Sequence, residues 1–312
     1  VCSSDLSGDD DDMHDIRQVY LVDAFTDEPL SGNPAGVVPE ADDLDDEQMQ
    51  AIASELGASE TVFLRSADEA DRRLRYFTPT NEVDLCGHAT VASHAWLVER
   101  DHIDAGEHTF ETNTGVLDAT IEDDGTVWMT QNQPEIRRVD VEYGTVADAL
   151  GVDVAALQDV GADLPLAVSS TGLPFLMVPV NFLEHVSNMD PQLGAIEDLS
   201  REVDAAGVYA FTFDALDADS TLHARMFAPK EGVPEDPVTG TASGAAGAYV
   251  REYDAFDSVP EEMVFEQGHF VDRPGRVHVR VGAEIEVGGR AVTALDGNLV
   301  VPESDEDDII EA

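Results

Sequence analysis

Four side chains in this sequence could move a proton: Glu60 in "LGASETVF", Cys86 and His88 in "PTNEVDLCGHATVASHAWLV", and Asp236 in "VPEDPVTGTASG". A carboxyl held at the start of a strand, partly out of water, has a raised pKa and can shuttle protons. A histidine in the first turn of a helix tends to stay neutral, so its ring can donate and accept at once. Asp236 is fixed by Pro237 behind it. Beside these residues, Gly87-His88 and Gly240-Thr241 each open an apolar helix. The first N–H groups of such a helix lack partners and attract anions, and glycine lets a ligand approach the backbone. Two such mouths facing one cleft would hold a small carboxylate. The plain alternatives are a surface acid at Glu60 and N-capping by Asp84 and Asp236.

Other chemistries find less support. No Cys-x-x-Cys or His-x-x-x-His pair occurs, so no metal site is expected. No Gly-x-Gly-x-x-Gly links a strand to a helix, which argues against a dinucleotide fold. "GTASGAAG" lacks the lysine of a phosphate loop and reads as a helix with small faces packed on a sheet. Cys2 and Cys86 are the only cysteines, too few for a disulfide framework. His94 and His102 read as packing or surface residues.

The elements that must position these groups recur. "RYFTP" (75–79) matches "RMFAP" (225–229), and "GHAT" (87–90) matches "GTAS" (240–243). Each pair is a strand, a turn and an apolar helix, and the second turn is three residues longer. "SGNPAGVV" is faintly echoed by "STGLPFLMV". Order and spacing predict two similar domains. The first covers 13–130, with 290–302 returning to it, and the second covers 131–289. Helices are expected over "DDEQMQAIASELG", Gly87 to Arg100, "YGTVADALGVDVAAL", "LGAIEDLSREVDA" and Thr241 to Tyr253. Residues 1–12 and 303–312 are expected to be disordered, with Met13 as the true start.

The 312 residues carry a formal charge of -50, from 66 acids against 16 Lys and Arg. This excludes a nucleic-acid surface. The acids are spread along a chain whose apolar periodicity survives, so they read as a solvated skin suited to strong salt screening. That points to a salt-rich cytoplasm, such as a salt-loving archaeon's. No apolar run approaches the ~20 residues that span a bilayer.

Taken together, "VDAFTDEPLSGNPAGVV", "IASELGASETVFL", "RYFTPTNEVDLCGHATVASHAWL" and "MFAPKEGVPEDPVTGTASGAAGAYV" resemble the PhzF, or phenazine-biosynthesis-like, family from about residue 17 to 300. The resemblance implies an α+β, diaminopimelate-epimerase-like fold: two pseudo-symmetric domains, each a mixed sheet curled around a central helix, with the site between them. It implies a cofactor-independent isomerase. In the best-understood members a glutamate moves a proton between carbons of a dihydro-hydroxyanthranilate ring without metal or organic cofactor. That glutamate falls on Glu60, the family's Gly-His pair on Gly87 and His88, and its aspartate on Asp236. A family serine falls on Thr241, which keeps the hydroxyl, and Gly87, Gly240 and Thr241 would bind substrate. Diaminopimelate epimerases use two cysteines as opposed bases; Cys86 resembles the first, and no second stands near "DPVTG". The implied ligand is a small carboxylated metabolite, with no nucleic acid or membrane partner and a homodimer left open. An amino-acid epimerase and a non-catalytic metabolite binder are the rival readings.

Overall fold

A computed structural model describes residues 15–158, 160 and 163–301. The expected disorder of the two ends, the Met13 start and Cys2 all lie outside these residues. The first part of the chain runs β1 (Asp15–Ala24), β2 (Asn33–Val38), α1 (Asp46–Leu56), β3 (Glu60–Arg65), β4 (Arg72–Phe77), β5 (Glu82–Val83), α2 (Gly87–Glu99), β6 (Gly106–Thr112), β7 (Gly115–Ile121) and β8 (Val127–Thr130). There follow β9 (Glu135–Arg138), α3 (Tyr143–Leu150), α4 (Ala155–Gln158), β10 (Ala167–Ser170), β11 (Pro174–Pro179), α5 (Leu183–Ser187), α6 (Leu193–Glu202), β12 (Gly207–Thr212), β13 (Leu222–Ala228), β14 (Val233–Asp236), α7 (Gly240–Glu252), β15 (Glu262–Gln267), β16 (Gly275–Val281), β17 (Ile285–Gly289) and β18 (Ala291–Val301).

Strand pairing makes the repeat explicit. The run β2-β3-β4-β6-β7-β8 pairs parallel, antiparallel, parallel, antiparallel, antiparallel, the same order as β11-β12-β13-β15-β16-β17. β1 and β18 flank the first run, β10 and β9 the second. The two runs join where β8 pairs with β17. This is a two-domain α+β architecture, each mixed sheet curled around one central helix: α2 packs on β1, β2 and β18, α7 on β10, β16 and β17.

Both central helices have 13 residues, and their composition follows from their surroundings. A helix enclosed by a sheet must be apolar or small on every side. In α7 the residues from Ala242 to Val250 are all buried. A Cβ on Gly247 would stand 2.6 Å from Val279 Cγ1, so glycine lets the sheet close on the helix.

The repeat also extends to an ion pair that sequence comparison alone does not align. Arg75 meets Glu82 of β5 through two parallel bonds of 2.8 Å, and Arg225 meets Glu235 of β14 in the same way. Each guanidinium also lies over the phenylalanine two residues on, Phe77 at 5.2 Å and Phe227 at 5.0 Å. These forks brace the short strand leading to each helix mouth. The second turn is longer because Pro229–Glu231 form a 3-10 turn absent from the first. The short helix α5 was not legible in the sequence; at five residues it is too brief to show a periodic face.

Candidate functional site

Glu60 opens β3, and its neighbour across the parallel pair is Ala35 of β2. His88 is the second residue of α2. The two meet: His88 Nε2 lies 3.4 Å from Glu60 Oε2, with side chains 11% and 23% exposed. The same nitrogen is 3.3 Å from Ser59 Oγ, and the other ring nitrogen, Nδ1, is 3.3 Å from Cys86 Sγ. Ligating atoms of Glu60, Cys86 and His88 lie within 4.8 Å of one another. Cys86 is a free, buried thiol. Burial pushes its pKa well up, and the Glu60 charge adds to this. It therefore stays protonated at neutral pH, which disfavours it as a base.

Asp236 ends β14 on the other side. Its carboxyl accepts from Asn33 Nδ2 at 3.0 Å and from the Thr239 hydroxyl, while Gln267 Nε2 donates to its backbone carbonyl at 2.7 Å. Asn33 begins β2, so this bond ties the two halves of the molecule together at the site. Asn33 Nδ2 also donates to Val238 O, and the buried Asn33 Oδ1 has no partner among the described residues. Burial raises the Asp236 pKa to about 6; the Thr239 hydrogen bond and His88 oppose the shift and Glu60 reinforces it.

Neither helix mouth is closed by a side chain. The N-cap residues are Cys86 and Thr239, and neither makes a side-chain capping bond. Asp84 and Asp236 do not cap, so the plain alternative for these acids fails; at the first mouth the backbone N–H groups of His88 and Ala89 face the Cys86 sulfur. A Cβ on Gly87 would meet nothing within 4 Å, whereas one on Gly240 would stand 3.0 Å from Phe25 Cζ. Gly87 therefore keeps space open, while Gly240 admits the ring of Phe25, itself held at a φ of 64°. The Thr241 hydroxyl makes no hydrogen bond among the described residues, and Thr171 Oγ1 donates to its carbonyl at 3.3 Å.

The groups with chemistry are where the repeat is broken. Val83 pairs with Tyr76 as Asp236 pairs with Met226, so Asp236 stands where the first half has valine. Thr61 pairs with Phe77 as Val208 pairs with Phe227, so Glu60 corresponds to Gly207. By the matched helix starts, Cys86 corresponds to Thr239 and His88 to Thr241. The scaffold is doubled, and the candidate residues Glu60, Cys86, His88 and Asp236 have no counterpart of their own type in the other half. Ser59, Asn33, Thr239 and Gln267 carried no sequence signal beyond nearness to the motifs, and Gln267 not even that.

Two contrasting outcomes are expected at the mouths. Gly240→Ala should cost about 1–3 kcal/mol, because Phe25 must move in a packed core. Gly87→Ala should leave stability within about 1 kcal/mol of the parent. It should nevertheless weaken binding of a carboxylated ligand roughly 10-fold by filling the space over the first N–H groups. Thermal denaturation with ligand calorimetry checks both; equal stability losses in the two variants would contradict the assignment.

Asp236 predicts a pH signature. Its folded pKa lies above its ordinary value of 3.8, at about 6. The folded protein therefore holds this proton more tightly than the unfolded chain. The resulting stabilisation is present below about pH 4 and is lost as pH rises from there through about 6, totalling roughly 2–3 kcal/mol. Urea denaturation at fixed salt should show Asp236→Asn gaining on the parent across that interval and the difference levelling above it. A difference independent of pH would contradict this.

Comparison with known proteins agrees with the architecture. The family described as phenazine biosynthesis-like protein matches residues 22–297. The chain is 38% identical over 292 residues to the uncharacterized isomerase YfhB of Bacillus subtilis, covering 92% of this chain and 97% of the relative. The crystal structure of a Bacillus anthracis phenazine biosynthesis protein of the PhzF family superposes with a TM-score of 0.84 at 35% identity, over 91% of this chain and 99% of that one. A hydroxyproline epimerase from Agrobacterium vitis shares the fold at 13% identity, with a TM-score of 0.56 over 91% of each chain. No described helix is long and apolar enough to cross a membrane. With family-wide coverage, isomerase relatives and a matched two-domain fold, this chain belongs to the phenazine biosynthesis-like (PhzF) family and is an enzyme of isomerase type.

Proposed function

We propose that the protein moves a proton on a small carboxylated metabolite, with Glu60 as general acid and base. The observation that carries this is the 3.4 Å approach of Glu60 to His88 Nε2 at an uncapped helix mouth. The protonated Cys86 thiol can donate to His88 Nδ1, which leaves Nε2–H to face Glu60. A carboxylate held this close to the imidazole can take a proton from one carbon and return it to another. N–H groups at Gly87 and Thr241 would hold the substrate carboxylate or developing negative charge. Asp236, steadied by Asn33 and Thr239, would orient the substrate, as would His88.

Domains bounded at 13–130 with 290–302, and at 131–289, suit this reading, because the helix mouths of the two halves then bracket the substrate. β18 lies along β1, consistent with the return of the last strand. The acid excess reads as adaptation to high salt and rests on charge alone; the relatives named above are bacterial.

The two-base thiol route of an amino-acid epimerase lacks its second cysteine, since Thr239 occupies the position equivalent to Cys86 at the other helix mouth. The test is incubation of small amino and hydroxy acids with the protein in heavy water at high salt, read by NMR. Deuterium entering carbon with bond migration supports the isomerase. Inversion without migration supports an epimerase, and tight binding without exchange supports a binder.

A further inference from the structure

Glu60, Cys86 and His88 also meet the requirements of a different occupant. A ligating atom of each lies within 4.8 Å of the other two. In a chain with 66 acids, no other trio of His, Cys, Asp or Glu among the described residues is so placed. No metal motif in the sequence marks the group, because Glu60 opens β3 while Cys86 and His88 flank Gly87 at the start of α2, and only folding joins them. A tetrahedral zinc-type ion needs ligand–ligand edges of roughly 3.3–3.7 Å. His88 Nε2 is 3.4 Å from Glu60 Oε2, and Nδ1 is 3.3 Å from Cys86 Sγ, so each pair already stands near one edge. Bringing all three onto one ion takes side-chain movement of about 1 Å. Ser59 Oγ, 3.3 Å from Nε2, would steady a ring bound through Nδ1.

The surroundings of the sulfur favour a bound ion. The backbone N–H groups of Ala89 and His88 face Sγ and would donate to a coordinated thiolate. Without an ion, burial and the Glu60 charge keep the proton on sulfur. A dication removes both obstacles. It neutralises Glu60 and stands in for water around the sulfur, so the S–H proton leaves to solvent as the sulfur–metal bond forms. The way in is open, since a Cβ on Gly87 would meet nothing within 4 Å and the Glu60 side chain is partly exposed. One sulfur, one nitrogen and one oxygen suit zinc, cobalt or cadmium. They do not suit magnesium or calcium, which take about six or more oxygens.

We propose that Glu60, Cys86 and His88 bind a zinc-type divalent cation, and that the bound ion reversibly stops proton transfer by occupying the Glu60 carboxylate. The second clause rests on the role proposed for Glu60; the cation site does not.

Cobalt(II) is the probe, added to chelator-treated protein in molar potassium chloride. Cys2→Ser leaves Cys86 as the sole thiol. One cobalt per chain should bind with a thiolate-to-metal charge-transfer band. Zinc should displace it, and excess magnesium, which gathers on the acidic surface by charge alone, should not. Zinc calorimetry in two buffers of different ionisation enthalpy should show about one proton released per ion. Cys86→Ser should abolish the band. Glu60→Gln and His88→Gln should each bind cobalt at least roughly 10-fold more weakly, and they stand in if Cys86→Ser unfolds. No saturable band, a band that survives Cys86→Ser, displacement by magnesium, or zinc binding without proton release would each overturn the site. Zinc bound as expected with undiminished exchange into a confirmed substrate would overturn the switch. A wrong role for Glu60 would show instead as unimpaired exchange in metal-free Glu60→Gln, with the cobalt spectrum of the parent in place, so the two failures are distinguishable.

Discussion

Glu60→Gln is expected to lower solvent-hydrogen exchange into a confirmed substrate by at least ~10²-fold, the low end for a positioned acid or base. The amide keeps the size of the carboxylate and can still meet His88 Nε2, but it cannot accept a proton from carbon. Binding of a carboxylated inhibitor should change only a few-fold, because the helix mouths, not Glu60, would hold its charge. Cys86→Ser is the matched control. Its hydroxyl can still donate to His88 Nδ1, now 3.3 Å from the sulfur, so substantial exchange should remain. The reverse pattern, with Cys86→Ser inactive and Glu60→Gln active, would replace the carboxylate by a thiol as the working base. Single-turnover exchange with both variants at saturating substrate separates these outcomes from a change in affinity.

Stability should depend steeply on salt. A net charge of -50 repels itself through a skin that contains few cations, and most of those are already committed. Arg75 serves Asp46 and Glu82, Arg225 serves Glu235, and Arg273 serves the buried Asp23. The screening length falls from ~10 Å at 0.1 M salt to ~3 Å at 1 M, so repulsion between surface acids fades over that range while these partly buried pairs are weakened less. Denaturation followed from 0.05 M to molar potassium chloride should show a rise in Tm of roughly 10 °C or more, corresponding to several kcal/mol. Most of the gain should come at the low-salt end, where screening changes fastest. A Tm that stays flat across the series would sink the idea that the acids are matched to salt.

The sequence by itself determined the doubled plan of this protein. Arg-x-Phe-x-Pro followed by a small-residue helix is a local pattern written twice, and local patterns survive in one dimension. It also placed Glu60, His88 and Asp236 as candidates, since each sits at a strand or helix end where a side chain reaches a cleft edge. Only the tertiary structure decided what those residues face. The bond from Asn33 to Asp236 spans 203 positions, and Gln267 reaches the same aspartate from a strand that no motif marks. The sequence left open whether Cys86, beside His88, does chemistry or only fills the helix mouth. Its burial beside Glu60 turns it into a protonated partner of the imidazole, because a thiolate there would be both desolvated and repelled. The match of Glu82 to Glu235 was hidden by the three-residue difference in turn length and shown by strand register. The asymmetry at Val83 and Asp236 is likewise a statement about paired neighbours, Tyr76 and Met226, that lie apart in the chain and meet only when the strands form.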